Sequence, residues 1–157
     1  MTLILTIANE NGVHQSSDYQ LTDPAGKFVS NEVGTKQLER NLQGLRVRVA
    51  FTGVTQLVQG RRTTDTIDWL SGELSSLPDP TDFNTLCAKL VHRCNIEIGS
   101  KVAIGSKNVL TVVMAVAEIG KPFRVVRISN SDFTKQRRVR TPGLVLTGYL
   151  LLLRPED

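Results

Sequence analysis

The 157 residues predict an α+β domain built in layers. Strand-like segments occupy both ends of the chain, two runs of helical period stand between them, and 157 residues with 40% hydrophobic content suit one core. A single domain spanning 1–157 is therefore expected.

Residues 3–8 are nearly continuously apolar and β-branched, an Asn11-Gly12 turn signal follows, and residues 13–19 resume an extended run, which predicts a hairpin. Residues 21–34 carry Asp23, Pro24, Gly26, Asn31 and Gly34, the composition of a loop, here expected to hold a short paired segment. Next, Leu45, Val47, Val49 and Phe51 alternate with Arg46 and Arg48, as in a half-buried strand that runs into Thr52 and Gly53.

Ile67, Leu70, Leu74 and Leu77 then recur at helical spacing until Pro78 and Pro80. Asp82 stands as the cap of a second helix through Phe83, Leu86, Leu90, Val91 and Cys94. Residues 109–117, the turn Gly120-Lys121-Pro122 and residues 123–129 predict strand, turn and strand, and the apolar stretch 144–153 is expected to be extended as well.

Composition excludes intrinsic disorder, a collagen-like repeat and a disulfide scaffold. The apolar runs are far short of the ~20 residues that cross a bilayer, so no membrane span is expected. With no basic n-region and no cleavage site at the amino terminus, the expected location is cytoplasmic. Cys87 and Cys94 share one helical face with Cα atoms about 10.5 Å apart, too far to bridge, and are expected in the core.

The net charge of +4 resides in Lys135, Arg137, Arg138 and Arg140. Together with Arg61 and Arg62 this segment is a candidate surface for nucleic acid or another polyanion, with a solvated loop as the plainer reading. Aromatic side chains are scarce around it, so base stacking has little support and a nucleic-acid partner is not expected.

Classical catalytic sets are poorly supported. His14 and His92 are the two candidate bases, and no Gly-x-Ser-x-Gly elbow presents a serine to either. Cys87, His92 and Cys94 lack a Cys-x-x-Cys pair, and His92 falls on a different helical face from the two cysteines, so no metal site is expected. Gly99, Gly105 and Lys107 miss the phosphate-loop spacing by one residue.

The start of the chain is more informative. Thr2 follows the initiator Met, and removal of Met1 would leave a threonine whose α-amine, with a reference pKa of about 7.7–8.0, sits beside its hydroxyl and can act as general base. A threonine hydroxyl needs a nearby cation, which Lys36 could supply and Asp18 could hold. Gly53, at the end of its strand, permits the close backbone approach an oxyanion hole requires.

In this order, residues 2–7, Gly12-Val13, Ser17-Asp18, Gly34-Thr35-Lys36 and residues 49–53 make the chain resemble the amino-terminal half of proteasome β-type subunits and the related bacterial protease subunit. These are N-terminal nucleophile hydrolases. The resemblance spans residues 2–130, including the helix pair 64–94 and the strands 109–130.

What the resemblance implies is an N-terminal-nucleophile-hydrolase-like layered sandwich, helices packed on antiparallel sheets, in a shortened version. The family continues with a third long helix, further strands and an Asp and a Ser that complete its site, whereas 27 residues follow Asn130 here. It further implies a threonine peptidase in which Thr2 attacks the peptide carbonyl, Asp18 and Lys36 support it and the Gly53 N–H stabilises the oxyanion. Peptide or unfolded protein would be the substrate, a homo-oligomeric ring the assembly, an ATP-dependent unfoldase a further partner, and no cofactor is needed. The alternative expectation keeps the fold and makes the chain a catalytically silent ring or scaffold subunit.

Overall fold

A computed structural model describes residues 4–9, 12–17, 21–22, 28–30, 35–59, 62–78, 81–96, 110–129 and 145–147. At the amino terminus β1 (Ile4–Asn9) and β2 (Gly12–Ser17) form the expected antiparallel hairpin, with Asn9 opposite Gly12 and Ile4 opposite Ser17. The short strands β3 (Leu21–Thr22) and β4 (Phe28–Ser30) pair within the turn-rich stretch that follows. Further on come β5 (Gln37–Leu42), β6 (Leu45–Gly53), β7 (Gln56–Gln59) and β8 (Arg62–Asp65), then α1 (Thr66–Ser75) and α2 (Phe83–Cys94), then β9 (Leu110–Glu118), β10 (Arg124–Ser129) and β11 (Val145–Thr147).

The frame is a five-stranded antiparallel sheet in the order β11-β10-β9-β6-β5. β6 alternates as its sequence predicts: Leu45, Val47, Val49 and Phe51 are buried, and they join Leu70, Leu74, Leu86 and Leu90 of the two helices in one core. β9 lies opposite β6, with Val116 facing Val47, Met114 facing Val49 and Val112 facing Phe51. These side chains complete the same core, while Thr111 and Ala115 of the alternate face are buried too. A central strand covered on both faces reads as the continuous apolar run seen in the sequence.

The second cover is the β1–β2 hairpin. Arg48, on the face of β6 away from the helices, donates from Nη1 to the Val13 carbonyl at 3.0 Å, and Gln15 Nε2 donates to the Val113 carbonyl at 3.3 Å. The layers are therefore helices, five-stranded sheet and hairpin, an α+β arrangement. β11 adds to the edge of β10, with Ser129 opposite Val145 and Arg127 opposite Thr147, so part of the last apolar stretch pairs into the sheet.

Local chemistry sets the helix boundaries. α1 starts where Thr66 donates its N–H to the Thr55 carbonyl and its Oγ1 to the Val54 carbonyl, both at 2.8 Å. It ends at Ser76, whose N–H returns to Gly72 just before Pro78. α2 is capped by Asp82, which accepts the Thr85 N–H at 2.7 Å, and this hydrogen bond holds the Asp82 carboxyl below its ordinary range. The two helices are tied by Arg93, which donates to both carboxylate oxygens of Glu73, at 3.0 Å from Nε and 2.8 Å from Nη2. Sequence periodicity anticipated the two helices and missed the β7–β8 hairpin that joins β6 to α1.

Both cysteines are free thiols in the core, as expected. Burial pushes Cys87 up to about 11 and Cys94 up to about 12, with the Glu73 carboxylate adding to the latter. Both values lie above the ordinary thiol value of 9.0, so the stabilisation tied to the neutral thiols is complete below about pH 9 and is lost as pH rises toward 11 and 12. The double variant Cys87→Ala, Cys94→Val should accordingly lose less stability than the wild type between about pH 8 and pH 10. Urea midpoints measure this, and equal losses in the two proteins would contradict it.

Candidate active site

Lys36 and Gly53 come together at one end of the five-stranded sheet. Lys36 immediately precedes β5, and its carbonyl accepts the Phe51 N–H at 3.0 Å, so it lies beside a residue of β6 only two positions before Gly53. Gly53 has φ of 102°, in the left-handed region. A side chain there would cost roughly 1–2 kcal/mol, which accounts for glycine at this strand end.

Lys36 is 2% exposed and heads the fully buried side chains by volume. Lysine is almost never buried to this extent, because taking an ammonium out of water is costly.

The β1–β2 hairpin opens toward the same end. Val13 meets Arg48, and Gln15 meets Val113, which lies opposite Ala50 of β6. Contact thus advances along β2 and β6 together, and Ser17 and Ile4, the open end of the hairpin, fall toward Thr52 and Gly53. Ser17 is buried, and its Oγ has no hydrogen-bond partner among the described residues. Nearby, Thr111, paired with Thr52 across the strands, shares a 2.7 Å hydrogen bond with Ser129 of β10.

Of the four residues expected to carry chemistry, Lys36 and Gly53 thus sit within one structural unit. Thr2 and Asp18 lie outside the described residues, as does Met1. Ser17 entered the sequence reading only beside Asp18, and the hydroxyl residues Thr111 and Ser129 escaped it. The signal for the last two was a polar residue placed near the end of an otherwise apolar strand.

Other candidates fare worse. His14 and His92 are exposed, the thiols are held neutral by burial, and among the described residues no group of three or more His, Cys, Asp or Glu side chains could hold a metal ion. Arg61, Lys135, Arg137, Arg138 and Arg140 of the basic segments lie outside the described residues. Among those described, no helix is long and apolar enough to cross a membrane.

No protein-family model, curated protein or solved structure matches the chain.

Proposed function

We propose that this chain is a proteasome-like threonine peptidase of the N-terminal-nucleophile type, which cleaves amide bonds with Thr2 once Met1 is removed. The observation that supports it is the buried Lys36 beside β6, two residues from the left-handed Gly53, at the sheet end toward which β1 opens.

In this reading the Thr2 hydroxyl adds to the peptide carbonyl while the Thr2 α-amine takes up its proton. The Lys36 ammonium lowers the cost of negative charge on the hydroxyl oxygen, and Asp18 holds the lysine in place. The carbonyl oxygen becomes an oxyanion stabilised by the Gly53 N–H. The protonated amine then delivers its proton to the departing amine, leaving an ester on Thr2 that water hydrolyses. Cytoplasmic ring assembly with an ATP-dependent unfoldase belongs to the same reading. The apolar side chains of Leu5 and Ile7, 53% and 52% exposed on the outer face of the hairpin, support a covering partner.

The test is hydrolysis of unstructured peptide by protein made with Thr2 unmasked. Thr2→Ala should abolish it and Thr2→Ser should retain part of it. Hydrolysis that persists in Thr2→Ala would overturn the reading, and no hydrolysis in any form would leave the silent-scaffold alternative.

A further inference from the structure

A second feature lies at the opposite end of the β1–β2 hairpin. Along β6, Arg46 and Gly53 are seven residues apart, about 23 Å at 3.3 Å per residue. Around Arg46 and Arg48 a hollow of about 360 Å³ separates the hairpin from the sheet. The strand register explains it: Arg46 lies opposite Ala117 and Arg48 opposite Ala115, so two long side chains of β6 stand beside two of the smallest on β9. Phe123 adds an aromatic wall, and Val13 with His14 closes the hollow from the hairpin side.

Charge in this hollow is arranged rather than incidental. Glu39 accepts Arg46 Nε at 2.5 Å through Oε1, and Arg48 Nε at 2.9 Å and Nη2 at 2.5 Å through Oε2. Two guanidiniums against one carboxylate leave a surplus of one positive charge. Arg48 is fixed on three sides, since its Nη1 is also engaged by the Val13 carbonyl. Arg46 gives Glu39 its Nε alone, and its side chain is 63% exposed. Its two terminal amino groups therefore remain for an acceptor, on a guanidinium already oriented by Glu39.

We propose that this hollow binds a small organic anion, a carboxylate or phosphomonoester head held by Arg46 on a flat apolar body that fills the space over Ala115 and Ala117 against Phe123. A planar donor fork next to an apolar wall selects for such a two-part ligand and against inorganic ions or neutral aromatics. The site is independent of Thr2 and of any hydrolysis.

Chemical-shift titration tests it with phenyl phosphate, benzoate and benzyl alcohol in turn. Saturable binding of either anion, without benzyl alcohol binding, is expected, and the anion that binds identifies the head group. Arg46→Gln should weaken binding by roughly tenfold or more without altering the fold, because Arg46 is largely exposed. Ala117→Leu should fill the hollow and abolish binding. Absence of binding by both anions, or binding that Arg46→Gln leaves intact, would overturn the proposal.

Discussion

Lys36→Met is expected to reduce peptide hydrolysis by at least roughly 10²–10³-fold per folded molecule and to lower the thermal midpoint. Lys36 is a cation buried to 2% exposure and engaged by its surroundings, and methionine matches the length of its stem but withdraws the charge from that interaction. The reaction loses the positive charge that favours an anionic oxygen on Thr2. Lys36→Arg should not restore activity, since a planar guanidinium does not occupy the space of an ammonium at a site 2% exposed. Peptide turnover and thermal unfolding, measured on the same preparations, check this. Turnover that falls only in proportion to the folded fraction would make Lys36 a structural residue, and undiminished turnover would remove it from the site.

Leu70→Ala is expected to cost about 2–5 kcal/mol, the largest stability effect among the single substitutions considered. Leu70 is completely buried in α1 and belongs to the core that joins both helices to β6, β9 and β10. Its removal leaves a hole in the helical layer packed on the sheet, and close-packed neighbours relax only in part. At about 2–4 °C per kcal/mol for a chain of this size, the thermal midpoint should fall by roughly 4–20 °C. Ile119→Ala is the control: the side chain is 89% exposed in the turn between β9 and β10, and its loss should be nearly silent. Comparable effects at the two positions would contradict the placement of the core.

The parts of the fold that were legible in the sequence are those where one face is buried and the other is not. β6 announced itself through Leu45, Val47, Val49 and Phe51, and α2 through its apolar spacing and the Asp82 cap. β5 was not legible as a strand, because it is an edge strand whose Glu39 and Arg40 pair with side chains rather than with an apolar layer, and only Leu38 and Leu42 touch the core. β7 and β8 have four residues each, and among their described side chains Leu57 alone belongs to the buried core, too little for a period to register.

The candidate site was legible in the same uneven way. Gly53 was marked by its place after an alternating strand, and Lys36 by its place after a turn-rich stretch. The burial of Lys36 was not predictable, because it follows from a register that joins residue 36 to residue 51, a contact that no local pattern encodes. Arg46 and Arg48 read correctly as the polar face of β6. That a hairpin from the amino terminus covers this face, turning Arg48 into a strut and leaving a hollow beside Arg46, depends on packing between distant segments.

The central claim is that Thr2, freed of Met1, is the nucleophile. Intact-mass analysis after treatment with a β-lactone, which acylates an activated hydroxyl, tests it most directly when combined with fragmentation to locate the adduct. The predicted result is a chain that begins at Thr2 and carries one acyl group on that residue, absent from Lys36→Met. A chain that keeps Met1 and remains unmodified, or an adduct on any other residue, would contradict it.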